Sequence, residues 1–127
     1  MKTLDDLNRK LKKIGTVEVV TDEILQRLSG TIDIPQYAVK DTIRHWHLVS
    51  FRDPMGEFLS THLVGYSENH RTEWMTSKVF QTDLATGIIK TKNSYYLVIE
   101  PNEEIPDPAI VRHIHYALKT WLSKWQR

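Results

Sequence analysis

"IIKTKNSYYLVIE", residues 88–100, holds two apolar runs around a polar knot of Lys90, Thr91, Lys92, Asn93 and Ser94. As a single strand it is longer than strands usually run. Asn93-Ser94 at its centre is turn chemistry, and Asn tolerates the left-handed backbone that tight hairpins need. The stretch therefore predicts two strands, 87–92 and 95–100, joined by a tight turn. Lys90 and Lys92 then share one strand face, turned to solvent.

Upstream the same grammar repeats. "IRHWHLVSFR" (43–52) and "FLSTHLVGYS" (58–67) are rich in β-branched and aromatic residues. "DPMGE" between them, with Asp53, Pro54 and Gly56, is hairpin chemistry. "ENHRT" leads to a third strand, "EWMTSKVFQTD" (73–83), and "LATG" turns into the opening stretch. The sum is a meander of five antiparallel strands, expected to curl into a strongly twisted sheet or a small barrel.

Helical periodicity lies on either side. Thr3 to Ile14 reads as an amphipathic helix: Thr3 caps it, Leu4, Leu7, Leu11 and Ile14 form its stripe, and Gly15 stops it. Its other face carries Arg9, Lys10, Lys12 and Lys13, read as solvated. "TVEVV" (16–20) is a short β-like run. "TDEILQRLSG" is a second helix capped by Thr21 or Asp22 and ended by Gly30. "TIDIPQYAVKD" reads as an extended connector, since Pro35 forbids a helix interior. After a loop with Pro101 and Pro106, Asp107-Pro108 starts a long C-terminal helix with Ile110, Ile114, Ala117, Leu118, Trp121 and Trp125 on one stripe. The fold class is α+β: two N-terminal helices, a five-stranded antiparallel meander, and a long C-terminal amphipathic helix. Residues 1–127 form a single domain.

Composition narrows the function. The chain has 127 residues, 17 basic and 16 acidic, with a formal net charge of +1. That balance excludes a strongly acidic nucleic-acid mimic and a strongly basic coat protein. With no Cys, there is no disulfide framework, thiolate nucleophile or Cys-based metal site; a cytoplasmic protein is expected. The N-terminus shows no signal-peptide core, and no apolar run approaches the length of a membrane span.

Few constellations suggest chemistry. "HWH" places His45 and His47 on one strand face by alternation, where they would share a metal if His62 or His70 supplied a third ligand. A bare H-x-H is unspecific, and half-buried strand histidines are the simpler reading. His113 and His115 are about 200° apart on a helix and diverge. There is no nucleophile elbow and no Gly-rich phosphate loop. No cofactor and no enzymatic activity are expected. The last helix is more informative. After Asp107 no acidic residue remains, while Arg112, Lys119, Lys124 and Arg127 give +4. Arg112, His115, Tyr116, Lys119 and Ser123 lie on an arc opposite the apolar stripe, able to meet phosphates or an acidic partner. Helix dipole and solvation are the simpler account of such cations. Trp125, if exposed, is an anchor for a partner.

From Trp46 to Leu97 the cadence W-x-L-V-x-F, a Gly turn, H-L-V-G-Y, T-S-x-V and Y-x-L resembles that of small bacterial and phage proteins of unknown function. The resemblance implies a compact β unit and an accessory protein, and carries over no catalytic residue.

The leading expectation is a binding module of inhibitor, immunity or anti-defence type. It would dock on a protein partner through Lys90, Lys92, Arg112, His115, Tyr116, Lys119 and Trp125. The alternatives are a small nucleic-acid-binding barrel, stacking bases on Tyr95 or Tyr96, and a metal enzyme built on His45, His47 and His62. A homodimer through the Trp-rich helix is compatible with the sequence; a membrane partner is not expected.

Overall fold

The computed structural model describes residues 2–34, 38–101 and 106–125, with the helical backbone alone over 121–125. In chain order the elements are α1 (Leu4–Lys10), β1 (Thr16–Val19), α2 (Asp22–Leu28), β2 (Val39–Arg52), β3 (Phe58–Ser67), β4 (Thr72–Asp83), β5 (Ile88–Thr91), β6 (Tyr95–Ile99) and α3 (Pro108–Trp125). The expected α+β architecture is present, with three helices. The opening stretch is a hairpin: Lys90 pairs with Tyr95, and Thr91 N–H donates to the Ser94 carbonyl at 2.8 Å.

One difference from expectation and one outcome the sequence left open matter. The sheet has six strands, because "TVEV" joins it as β1 along β2, with Thr16 opposite Arg52 and Val19 opposite Val49. And the meander closes. β2 begins at Val39, inside the expected connector, and its first half pairs with β6 from Val39↔Tyr95 to Arg44↔Ile99. That closing pair is parallel, as it must be: in a five-strand meander the first and last strands run the same way. One edge of β2 is thus shared end to end, β6 on its first half and β1 on its second. This leaves little of that edge of β2 for another chain to add to.

β2 serves both halves because it is bulged. Arg44 faces Tyr66 and His47 faces Val64, so His45 and Trp46 together oppose Gly65. His45 sits at φ +49°, left-handed for a residue with a side chain. The extra residue changes which parity points inward. Ile43 and Leu48 both enter the barrel core, although alternation alone would put them on opposite faces.

Two apolar cores result. The barrel interior holds Ile43, Leu48, Leu63, Val79, Ile89, Tyr96 and Val98, with Leu25 and Leu28 of α2 packed against it. Thr21 caps α2 by accepting from Ile24 N–H; past Leu28, Gly30 N–H donates to the Thr82 carbonyl and ties the segment to β4. The outer core lies between the sheet and the other helices: Val49, Phe51, Val64 and Met75 meet Leu7 and Leu11 of the N-terminal segment and Ile110, Val111, Ile114 and Leu118 of α3. α1 is shorter than its periodicity suggests, ending at Lys10, with Leu11 as its C-cap. Gly15 closes the following turn, its N–H donating to the Leu11 carbonyl.

Gly65 allows the strands to approach at the bulge. A Cβ there would lie 2.6 Å from Ile43 Cγ2 and 2.7 Å from the Arg44 carbonyl oxygen. Gly65→Ala should lower stability by about 1–3 kcal/mol, as overpacking of a tight interior does. A urea denaturation series checks this; an unchanged midpoint would mean that the bulge does not need the close approach.

Candidate functional site

The surface that gathers most chemistry is the seam between β4 and α3, and its assembly starts on β2. Asp41 is buried, and its carboxylate accepts from the Ser67 hydroxyl and from Asn69 N–H. Ser67 Oγ in turn accepts from His70 N–H at 3.0 Å, and Arg71 N–H donates to the Ser67 carbonyl. These bonds satisfy the backbone of the β3–β4 turn, in which Arg71 adopts φ +55°. They also present the His70 ring to Trp74, centroids 3.8 Å apart and planes within 9°.

Trp74 continues the row to α3. Its ring lies 6.3 Å from that of His113, which lies 6.4 Å from that of Tyr116. Four rings from a turn, a strand and a helix thus form one line. Trp74 is half-buried and Tyr116, at 69% exposure, stands clear. Beside them a shallow cleft of about 260 Å³ is lined by Trp74, Met75, His113, Tyr116, Ala117 and Thr120.

The basic arc lies on the adjoining flank of α3. Arg112, Tyr116 and Lys119 are exposed, and His115 is half-buried towards α1. Burial, then the positive charges of Lys119 and Lys10, push the His115 ring below its usual pKa. Lys10 of α1 therefore shares this corner with the α3 cations. His113 and His115 diverge as their spacing requires, one to the aromatic row and one to the cationic edge.

The structure separates other residues that the sequence grouped. Lys90 and Lys92 are not part of the arc: α3 packs mainly on β4, β3 and α1, whereas Lys90 faces Tyr95 in the β5–β6 hairpin. Lys90 Nζ lies over the Tyr95 ring at 5.7 Å, covering one face of that stacking candidate. Tyr96, the other candidate, is 5% exposed and belongs to the barrel core. The Trp125 side chain, and those of Trp121, Ser123 and Lys124, lie outside the described residues, as does Arg127.

The histidine constellation also comes apart. The bulge breaks the alternation that would align "HWH": His45 is exposed, 3.6 Å from Glu100, whereas His47 is 5% exposed on the outer-core face. Burial lowers the His47 pKa, opposed by the Asp107 carboxylate, and its Nε2 has no hydrogen-bond partner among the described residues. His62 spends both ring nitrogens. Nδ1–H donates to the Thr76 carbonyl at 2.9 Å, so Nε2 is the acceptor and takes the Ser60 hydroxyl at 2.7 Å. Among the described residues no group of three or more His, Asp or Glu side chains is placed to hold a metal ion.

Sequence reasoning passed over Trp74, His113 and Lys10 as parts of a site and named His70 only as a third ligand for a metal. His113 alone left a trace, since it borders the exposed arc on the helical wheel. The others are placed by strand pairing and helix packing. No protein-family model, curated protein or solved structure matches this chain.

Burial is the main cause that lowers the His62 pKa to about 4. The unfolded ring takes its proton near the ordinary value of 6.5, so acid favours the unfolded state first, and stability falls as pH drops from about 6.5 towards 4. A shift of this size corresponds to about 3 kcal/mol. Urea midpoints measured from pH 7 to pH 4.5 should decline, and His62→Gln should flatten that decline; an equal slope in the variant would assign it to other groups.

Proposed function

We propose that this chain is a binding module that docks on a protein partner through the β4–α3 seam, in the manner of cytoplasmic accessory proteins of bacterial or phage type that inhibit or protect by occlusion. The observation that carries the reading is the aromatic row ending in Tyr116. A large amphipathic ring held 69% exposed beside a cleft is the kind of anchor that protein interfaces bury. The cleft is shallow and its walls are mostly Trp, Met, Ala and Tyr, which suits one apolar side chain of a partner. Size and the absence of Cys agree with an accessory protein working in a reducing compartment.

Two features speak against base stacking as the main use of these rings. His70 and Trp74 spend one face each on the other, at 3.8 Å. And the barrel tyrosines expected to serve as platforms are one buried and one covered by Lys90. No comparable arrangement supports a hydrolytic or metal-assisted reaction among the described residues.

A photo-crosslinking amino acid at Tyr116, in protein added to extract of the source cells with and without nuclease treatment, should join one protein in high yield in both. The same probe at Phe80, an exposed β4 residue, should not. Equal labelling from both positions, or labelling that vanishes with nuclease, would overturn the docking assignment.

A further inference from the structure

We propose that the partner segment seated on the β4–α3 seam is acidic: a stretch of protein carrying Asp or Glu beside one apolar or aromatic anchor. This rests on the docking reading above and adds the chemistry of the partner. The argument is charge complementarity across two elements. On α3, Arg112 and Lys119 project from the same exposed arc as Tyr116, and Lys10 of α1 comes alongside at His115. None of the three cations has a carboxylate partner among the described residues, unlike Arg9, Arg27, Arg44 and Arg52, each of which is ion-paired.

The described carboxylates of these helices stand at their N-terminal ends, and those of Asp6 and Asp107 are engaged there. Asp6 is held by Arg9 and by the backbone amides of Lys2 and Thr3, and Asp107 caps α3 by accepting from Ile110 N–H at 3.0 Å. Among the described residues the exposed crest of α3 from Arg112 to Lys119 therefore carries positive charge that no carboxylate pairs with, although the chain as a whole is nearly neutral. His115 senses that field, since Lys119 and Lys10 both disfavour its protonation. Around the helix the order runs from Lys10, His115 and Lys119, through Arg112 and Tyr116, to Thr120, His113 and Trp74. An incoming chain thus meets cations on one side of Tyr116 and the apolar cleft on the other. An acidic segment with one anchor satisfies both sides at once; a neutral or basic segment leaves the cations desolvated and unpaired.

The test is selection from a random dodecapeptide phage library on the native full chain, at low ionic strength. Enriched peptides should combine two or more Asp or Glu with an aromatic or aliphatic residue. They should lose at least tenfold in affinity against the Arg112→Glu, Lys119→Glu double variant, and a similar factor against Tyr116→Ala. All three positions are exposed, and unchanged urea midpoints would show that the variants fold. Neutral or basic peptides that still depend on Tyr116 would overturn the acidic class and leave the seam standing. No enrichment, or peptides indifferent to Tyr116→Ala, would overturn the seam itself. A single-stranded oligothymidylate that binds more tightly than the best peptide, with affinity falling steeply in salt, would replace the acidic protein by a nucleic acid.

Discussion

The close approach of β2 and β3 at Gly65 is the constraint on which the other features hang. A bulge of two residues against one bends β2 and reverses its inward parity. The first half of the strand can then close the ring with β6 while the second half receives β1. Without that reversal, Ile43 and Leu48 would not share the barrel interior. Arg44 reinforces the bend from outside, bridging Glu68 on the β3–β4 turn at 2.5 Å and Glu100 after β6 at 3.0 Å. Such exposed ion pairs contribute little each, so the bend is held chiefly by packing.

Closing a ring of five strands leaves room only for side chains inside, and the barrel interior is accordingly filled by its own residues and covered by α2. The proposed docking surface lies instead on the outside, beside α3. The outer core decides where: α3 buries Ile110, Val111, Ile114 and Leu118 against Val49, Phe51, Val64, Met75 and the α1 segment. With those four positions buried, helical geometry turns Arg112, Tyr116 and Lys119 outward. The exposed arc follows from the buried stripe.

His70 and Trp74 join that arc by a different route. A buried carboxylate at Asp41 holds the β3–β4 turn, the turn holds His70, and the pairing of β4 with β3 sets Trp74 beneath α3. The candidate surface thus depends on three separate pieces of packing. The bulge in β2, by contrast, is why His45 and His47, two residues apart in sequence, end in different environments, one solvated and one buried.

The sequence by itself determined the local elements. Asn93-Ser94 and Asp53-Pro54 marked hairpins, Thr3, Thr21 and Asp107 marked helix starts, and the stripe Ile110, Ile114, Leu118 marked the buried face of α3. Each of these rests on a few neighbouring residues, whose backbone preferences and spacing are readable in one dimension. Half of the candidate site was legible for the same reason: Arg112, His115, Tyr116 and Lys119 follow from helical periodicity. The tertiary structure alone decided the rest. The parity change at His45–Trp46 answers to Gly65, about twenty residues away. Barrel closure answers to a pairing between Val39 and Tyr95, and the other residues of the candidate surface come from β4, its preceding turn and α1. Those outcomes are set by contacts between distant segments, where the energy of packing two surfaces overrides the alternation and connector grammar of either segment alone.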